Sequence, residues 1–227
     1  FNSAVQTLTP GVYEATVTIT NNTSGRSETR AVSIEVVPPV LIADDLDVDP
    51  GWPMNGEWAF GTPLGGGAID HGFPDPISGA TGTNVIGVNL AGDYSLTPGG
   101  PYYVTAGPFD LTSRDHTQLQ FERWLNTDAG DWAGAWVEVS NDGTNWDRLW
   151  TNIGGTSDGA WTTQRYDIST TADEQPNVWI RWGYDVKNIA DVWALSGWNI
   201  DDIKILGTQT DRLAVTGPET ITEGDPN

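Results

Sequence analysis

The sequence predicts an all-β protein built around a jelly-roll β-sandwich, on three observations. Between residues 40 and 206 the apolar residues do not recur at helical spacing, and Gly or Pro interrupts every long window. Strand-like runs recur at 40–48, 56–60, 84–90, 102–111, 117–125, 134–140, 146–151, 161–168, 177–185 and 198–206, with turn chemistry between them. The chain is also rich in tryptophan, with 12, and in glycine, with 27. Many short strands joined by turns are the pattern of a sandwich or jelly roll.

Taken in order, residues 11–20 alternate, with Tyr13, Ala15, Val17 and Ile19 on one face and Glu14, Thr16, Thr18 and Thr20 on the other. Asn21-Asn22-Thr23-Ser24-Gly25 supplies a turn, and Val32, Ile34 and Val36 continue the apolar face, so a β-hairpin is expected before Pro38-Pro39 stops it. A lone hairpin is marginal in water, so this one needs a partner. The stretch 61–83 is rich in Gly, Pro and Asp and is expected to be a long loop. Ser140-Asn141-Asp142-Gly143-Thr144-Asn145-Trp146 reads as a hairpin turn between Val139 and Leu149. The closing strand carries two acids, Asp201 and Asp202. Ile203 and Ile205 share one phase of it while Ile200 falls on the other, which a β-bulge near the acids would reconcile. Those acids can be a solvated kink, a buried structural carboxylate or cation ligands.

Composition narrows the function. The net charge is -21 and only two lysines occur, Lys187 and Lys204, which argues against nucleic acid and anionic membranes as partners. No apolar run approaches membrane-spanning length. With no cysteine, disulfides and thiolate metal sites are excluded. Such an acidic, Asp-rich chain fits a secreted or cell-surface protein in a calcium-containing medium, and the chain reads as a piece of something larger. Catalytic signals are weak. His71 and His116 are the only histidines and do not form a His-Glu-x-x-His pair, and there is no nucleophile elbow or P-loop. Glu57, Glu122 and Glu138 lie in expected strands, but any acidic chain offers such pairs.

The ordered motifs carry a resemblance. Asp44-Asp45-Leu46-Asp47, Gly51-Trp52 and Glu57-Trp58-Ala59-Phe60-Gly61 come first, then Asn84-Val85-Ile86-Gly87-Val88-Asn89-Leu90 and Gly107-Pro108-Phe109-Asp110-Leu111. Leu119-Gln120-Phe121-Glu122-Arg123-Trp124, Tyr166-Asp167-Ile168-Ser169, Ile180-Arg181-Trp182 and Ser196-Gly197-Trp198-Asn199-Ile200-Asp201-Asp202-Ile203 follow. Together they resemble the MAM-like accessory jelly-roll domain of immune-inhibitor-A-type secreted metallopeptidases, over 39–207. The hairpin of residues 1–38 resembles the end of a bacterial immunoglobulin-like domain. Residues 208–227, around Leu213-Ala214-Val215-Thr216-Gly217-Pro218, resemble a linker and the start of a Calx-β or cadherin-like module.

The resemblance implies a non-catalytic accessory module of a large extracellular protein, structural or adhesive, with a structural calcium ion where first and last strands meet. Asp47 and Asp202 are the expected ligands, with Asp45 and Asp201 in reserve. Hard cations take several carboxylate and carbonyl oxygens, and two strands distant in sequence can be clamped by one ion. The alternative is a carbohydrate-binding module. Trp132 and Trp193 lie in loops beside Asp131 and Asp191, where rings can stack on sugars while the acids bind hydroxyls, provided these loops converge with 61–83. A third reading is a non-catalytic part of a metallopeptidase or glycoside hydrolase. The expected partners are therefore an extracellular glycan or protein and the flanking domains of the same chain.

Overall fold

The computed structural model describes residues 8–69 and 71–210, so the Calx-β-like stretch after Thr210 lies outside the described residues. It starts with a hairpin, β1 (Gly11–Thr20) and β2 (Ser27–Val36). Then come β3 (Val40–Asp44), β4 (Trp58–Gly61), β5 (Val85–Val88), β6 (Gly99–Phe109), β7 (Arg114–Thr127), β8 (Ala133–Ser140) and β9 (Asp147–Thr151). The chain continues through β10 (Thr156–Ser157), β11 (Thr162–Asp167), a single helical turn α1 (Ser169–Ala172), β12 (Val178–Val186) and β13 (Gly197–Gln209). The helical turn departs from the expected all-strand reading.

Two antiparallel sheets form a sandwich. One has seven strands, running β10-β7-β13-β5-β4 with β11 on β7 and β3 on β13; the other has four, in the order β6-β12-β8-β9. The period-2 pattern decides what faces inward. Leu119, Phe121 and Leu125 of β7, Val137 and Val139 of β8, Ile180 and Trp182 of β12, and Ile200 and Ile205 of β13 are buried in one core. Rings tie the sheets together: Phe121 meets Trp182 edge-on at 5.3 Å, and Trp150 meets Trp198 at 5.9 Å. Arg123 sits beneath Trp150 and pairs with Asp158 at 2.9 Å, both side chains largely buried. Trp58, Trp182 and Trp198 are core rings, as strand tryptophans should be, whereas Trp136 stands on the opposite face of its strand.

The bulge inferred from the isoleucine phases is present. The register between β13 and β7 shifts between Asp201 and Lys204, and Asp202 takes a left-handed conformation at φ 49°. The extra residue brings Ile200, Ile203 and Ile205 all into the core.

Loop 61–83 lies across the outer face of β7 and β13. The Phe73 amide donates to Asn126 Oδ1 at 2.9 Å, Trp124 Nε1 donates to Pro74 O at 3.0 Å, and Ser196 Oγ donates to Phe73 O at 3.0 Å. Asn199 Nδ2 donates to Asp75 Oδ1 at 2.7 Å. This is why β13 is buried on both faces along most of its length.

The hairpin pairs Tyr13 with Ile34 and Ala15 with Val32, so the expected apolar face exists. It is largely exposed, with Val12 66% and Ile19 63% accessible. Arg165 reaches Glu35 at 2.8 Å from the seven-stranded sheet.

Candidate functional site

The two expected sites fall at different places. The first is the seam between β3 and β13, where Asp44 pairs with Ile203. Past Asp44 the chain turns rather than continuing as a strand to residue 48. Asp44 Oδ1 accepts from the Leu46 amide at 3.0 Å and Asp45 Oδ1 from the Asp47 amide at 3.2 Å, so the acids fold the backbone into successive turns. Leu46 is thereby driven into the core at φ 53°.

The bulge then sorts the two acids of β13. Asp202 turns toward Lys204, 3.7 Å away. Asp201, held in reserve at the sequence level, is the buried one. Its Oδ1 accepts from the Asp202 amide at 2.8 Å and its Oδ2 from the Thr81 amide at 3.1 Å. Burial raises its carboxyl to about 6 against these hydrogen bonds, with the neighbouring Asp202 charge adding to the rise.

The segment 79–84, the end of the long loop, closes over Asp201. A side chain at Gly79 would meet Asp201 Oδ2 at 2.6 Å, Asn84 O at 2.8 Å and also Thr81 O, so three oxygens from three residues crowd one spot. Gly82, at φ 57°, has Asp47 Oδ1 where its own Cβ would be, and Asn84 Nδ2 donates to Asp47 O at 3.1 Å. The loop thus brings Asp47 and Asp201 to one six-residue segment, while Asp45 is exposed beside them. Among the described residues no three acidic or histidine side chains cluster tightly enough to hold a metal by themselves. A cation here would need the carbonyls of Thr81 and Asn84 as well as the carboxylates, a mixed oxygen set that suits calcium.

The second expected site is the loop rim. The three loops named for it do converge. Trp193 stacks on His71 of loop 61–83 at 3.7 Å between ring centres, its amide donates to Asp128 Oδ2 at 3.0 Å, and Trp132 Nε1 donates to Ala190 O at 3.2 Å. Trp193 is half exposed, and Asp131 and Asp191 are both exposed. Trp132 and Trp193 do not stack on each other; each is occupied by a different partner. His71, which sequence reasoning weighed only as a catalytic residue, is the ring that holds Trp193.

Asp75 was not singled out by its sequence context. It is 2% exposed, and among the described residues its Oδ2 has no hydrogen-bond partner, and neither has Asn199 Oδ1. Burial pushes its carboxyl up to about 7, opposed by the Asn199 hydrogen bond and assisted by the Asp93 charge. A carboxyl so enclosed pins the loop to the sheet and is closed to substrate.

Among the described residues no helix is long and apolar enough to cross a membrane. No family model matches the chain, and no curated protein does. Solved structures do resemble it. A cleaved adhesin domain of Lys-gingipain from Porphyromonas gingivalis is 14% identical, covering 74% of this chain and 98% of that one with a TM-score of 0.47. A xylan-binding domain from Paenibacillus barcinonensis is 14% identical, covering 74% and 99%, with a TM-score of 0.44. A carbohydrate-binding module solved with β-1,4-galactotriose is 11% identical, covering 70% and 90%, with a TM-score of 0.42. At these identities the likeness is one of fold alone: the chain is an all-β sandwich similar in architecture to adhesin and carbohydrate-binding domains.

Proposed function

We propose that this chain is a non-catalytic, MAM-like accessory module of an extracellular protein, its sandwich fastened by a calcium ion at the seam of first and last strands. The observation that carries this reading is the buried Asp201 carboxylate, which faces the carbonyl oxygens of Thr81 and Asn84 and, among the described residues, has no cationic side chain against it. Negative groups gathered without a counter-charge cost free energy that a bound cation removes. Asp201 and Asp47 are the carboxylates that would hold the ion, with the two carbonyls completing the set. Asp202 and Asp45 stand next to it.

Thermal melting in calcium and in EDTA tests this. Calcium at a hundred times its Kd stabilises a folded protein by about 2.7 kcal/mol, a shift well within reach of a melting curve. The Asp201→Asn variant should lose the calcium response. A melting temperature that is the same in calcium and EDTA overturns the proposal.

The convergence of the three loops favours a second reading, a glycan-binding module using the rim around Trp193. Loss of glycan binding in Trp193→Ala is its test, and retention of full affinity in that variant rules it out.

A further inference from the structure

The outer face of the four-stranded sheet holds a site that neither reading uses. In the middle of this face the side chains satisfy one another. Glu138 is buried and accepts from both Arg148 and Arg181, at 2.9 Å and 2.6 Å. Arg181 lies over the rings of Tyr103, at 4.1 Å, and Trp146, at 3.8 Å. Toward the end of the sheet that filling stops. Gly134, two residues before Trp136 and in the same outward phase of β8, contributes no side chain, so the face drops into an open cleft of about 540 Å³. Tyr103 and Trp136 form an aromatic side to it, with Tyr103 edge-on to Trp136 at 5.8 Å. On the opposite side Asn152 spends its amide internally, accepting from the Ala135 amide at 2.7 Å and donating to Asp128 O at 2.8 Å. That fixes a wall topped by Ile153, which is 90% exposed.

The groups left over describe the ligand. Asp131 is exposed at the mouth and makes no side-chain hydrogen bond or ion pair among the described residues. The indole Nε1 of Trp136 is buried with no partner among them. The cations of the cleft are already neutralised, Arg148 by Glu138 and Lys187 by Asp185. With a net charge of -21 over the chain, a polyanion finds no counter-charge here. A cleft of this size lies within the range of about 300–1,000 Å³ typical of ligand sites. An aromatic side next to a free carboxylate and hydrogen-bonding groups suits a molecule that is apolar on its ring faces and hydroxylated at its edges.

We infer that this cleft binds a neutral oligosaccharide, with Tyr103 and Trp136 against the sugar faces and Asp131 accepting from hydroxyls. The inference rests on the reading of the chain as a binding module but uses neither the cation seam nor the Trp193 rim. The test is titration calorimetry of the whole chain against neutral oligomers of xylose, glucose, galactose and mannose, with a polyuronate as the charged control. At least one neutral oligomer should bind. Asp131→Ala, an exposed change that leaves the core intact, should weaken binding at least tenfold, and Tyr103→Ala likewise. Trp193→Ala should leave the affinity unchanged. No binding to any neutral oligomer overturns the inference, as does binding to the polyuronate alone. Binding abolished by Trp193→Ala but not by Asp131→Ala moves the site to the loop rim and overturns it as well. Circular dichroism on each variant separates lost affinity from lost folding. Absence of a calcium effect on melting would defeat the seam without touching this result.

Discussion

Replacing Asp75 by asparagine should make the protein more stable at pH 8 and leave it nearly unchanged at pH 5. Asp75 is buried under loop 61–83, and burial raises its carboxyl from the ordinary 3.8 to about 7. A carboxyl raised on folding binds its proton more tightly in the native state. Its contribution is therefore favourable while it stays protonated and is lost as the pH climbs from about 4 through about 7. A gap of about three units, at about 1.4 kcal/mol each, puts the loss near 4 kcal/mol by pH 8. The substituted asparagine carries no charge at any pH. Its amide can keep an oxygen toward Asn199 Nδ2 and supplies a donor where two buried oxygens, Asp75 Oδ2 and Asn199 Oδ1, now lack one. Urea unfolding followed by tryptophan fluorescence at pH 5 and pH 8 gives both values for parent and variant. Asp201 is shifted in the same direction, but it is common to both proteins and cancels in the difference. The variant should gain at most about 4 kcal/mol at pH 8 and differ by under about 1 kcal/mol at pH 5. A variant whose advantage is the same at both pH values would refute the argument, because it would show that Asp75 does not titrate with folding.

Three further outcomes follow from the packing. Trp182→Ala removes the ring that meets Phe121 and should cost about 3–5 kcal/mol in urea unfolding. Asp158→Ala strands the largely buried Arg123 guanidinium and should cost a similar amount, about 3–5 kcal/mol, whereas a change below about 1 kcal/mol would mean that water reaches Arg123 freely. Asp142 accepts from the Thr144 and Asn145 amides, which hold its carboxyl well below the usual range. Its contribution is present above about pH 4 and falls away in acid, so Asp142→Ala should lower the melting temperature at pH 7, with the gap to the parent closing near pH 3.

What could be read from the chain follows from how local each cause is. The strands were legible because alternation is a nearest-neighbour property, and the bulge in β13 because Ile200 and Ile203 could not share a face without it. Which of Asp201 and Asp202 would be buried was not legible. It depends on which residue takes the left-handed conformation, and Asp202 does. The turn after Asp44 escaped for a related reason: the carboxylates of Asp44 and Asp45 accept from backbone amides two residues on and end a strand that periodicity alone would extend. The partnership of Asp75 with Asn199 joins residues 124 apart, and an aspartate in a Gly/Pro-rich loop carries no sign of burial. Trp136 shows the limit of composition. It alternates correctly with Ala135 and Val137, but alternation does not say which phase is the core, and its ring belongs to the outer face. The approach of the loops around Trp193 was stated only as a condition, because it depends on how the strand ends are ordered in space.

The position of β13 bears on how the protein is made. It pairs with β7, β3 and β5, so the last strand of the sandwich joins segments far apart in the sequence. During synthesis β3, β5 and β7 leave the ribosome with their shared partner still missing, and the edges that β13 will cover stay open until it emerges. Non-local pairing of this kind folds slowly. Completion of the seven-stranded sheet is therefore tied to release of the region around Gln209, and a chain arrested before Gly197 should expose unpaired strand edges to chaperones and proteases.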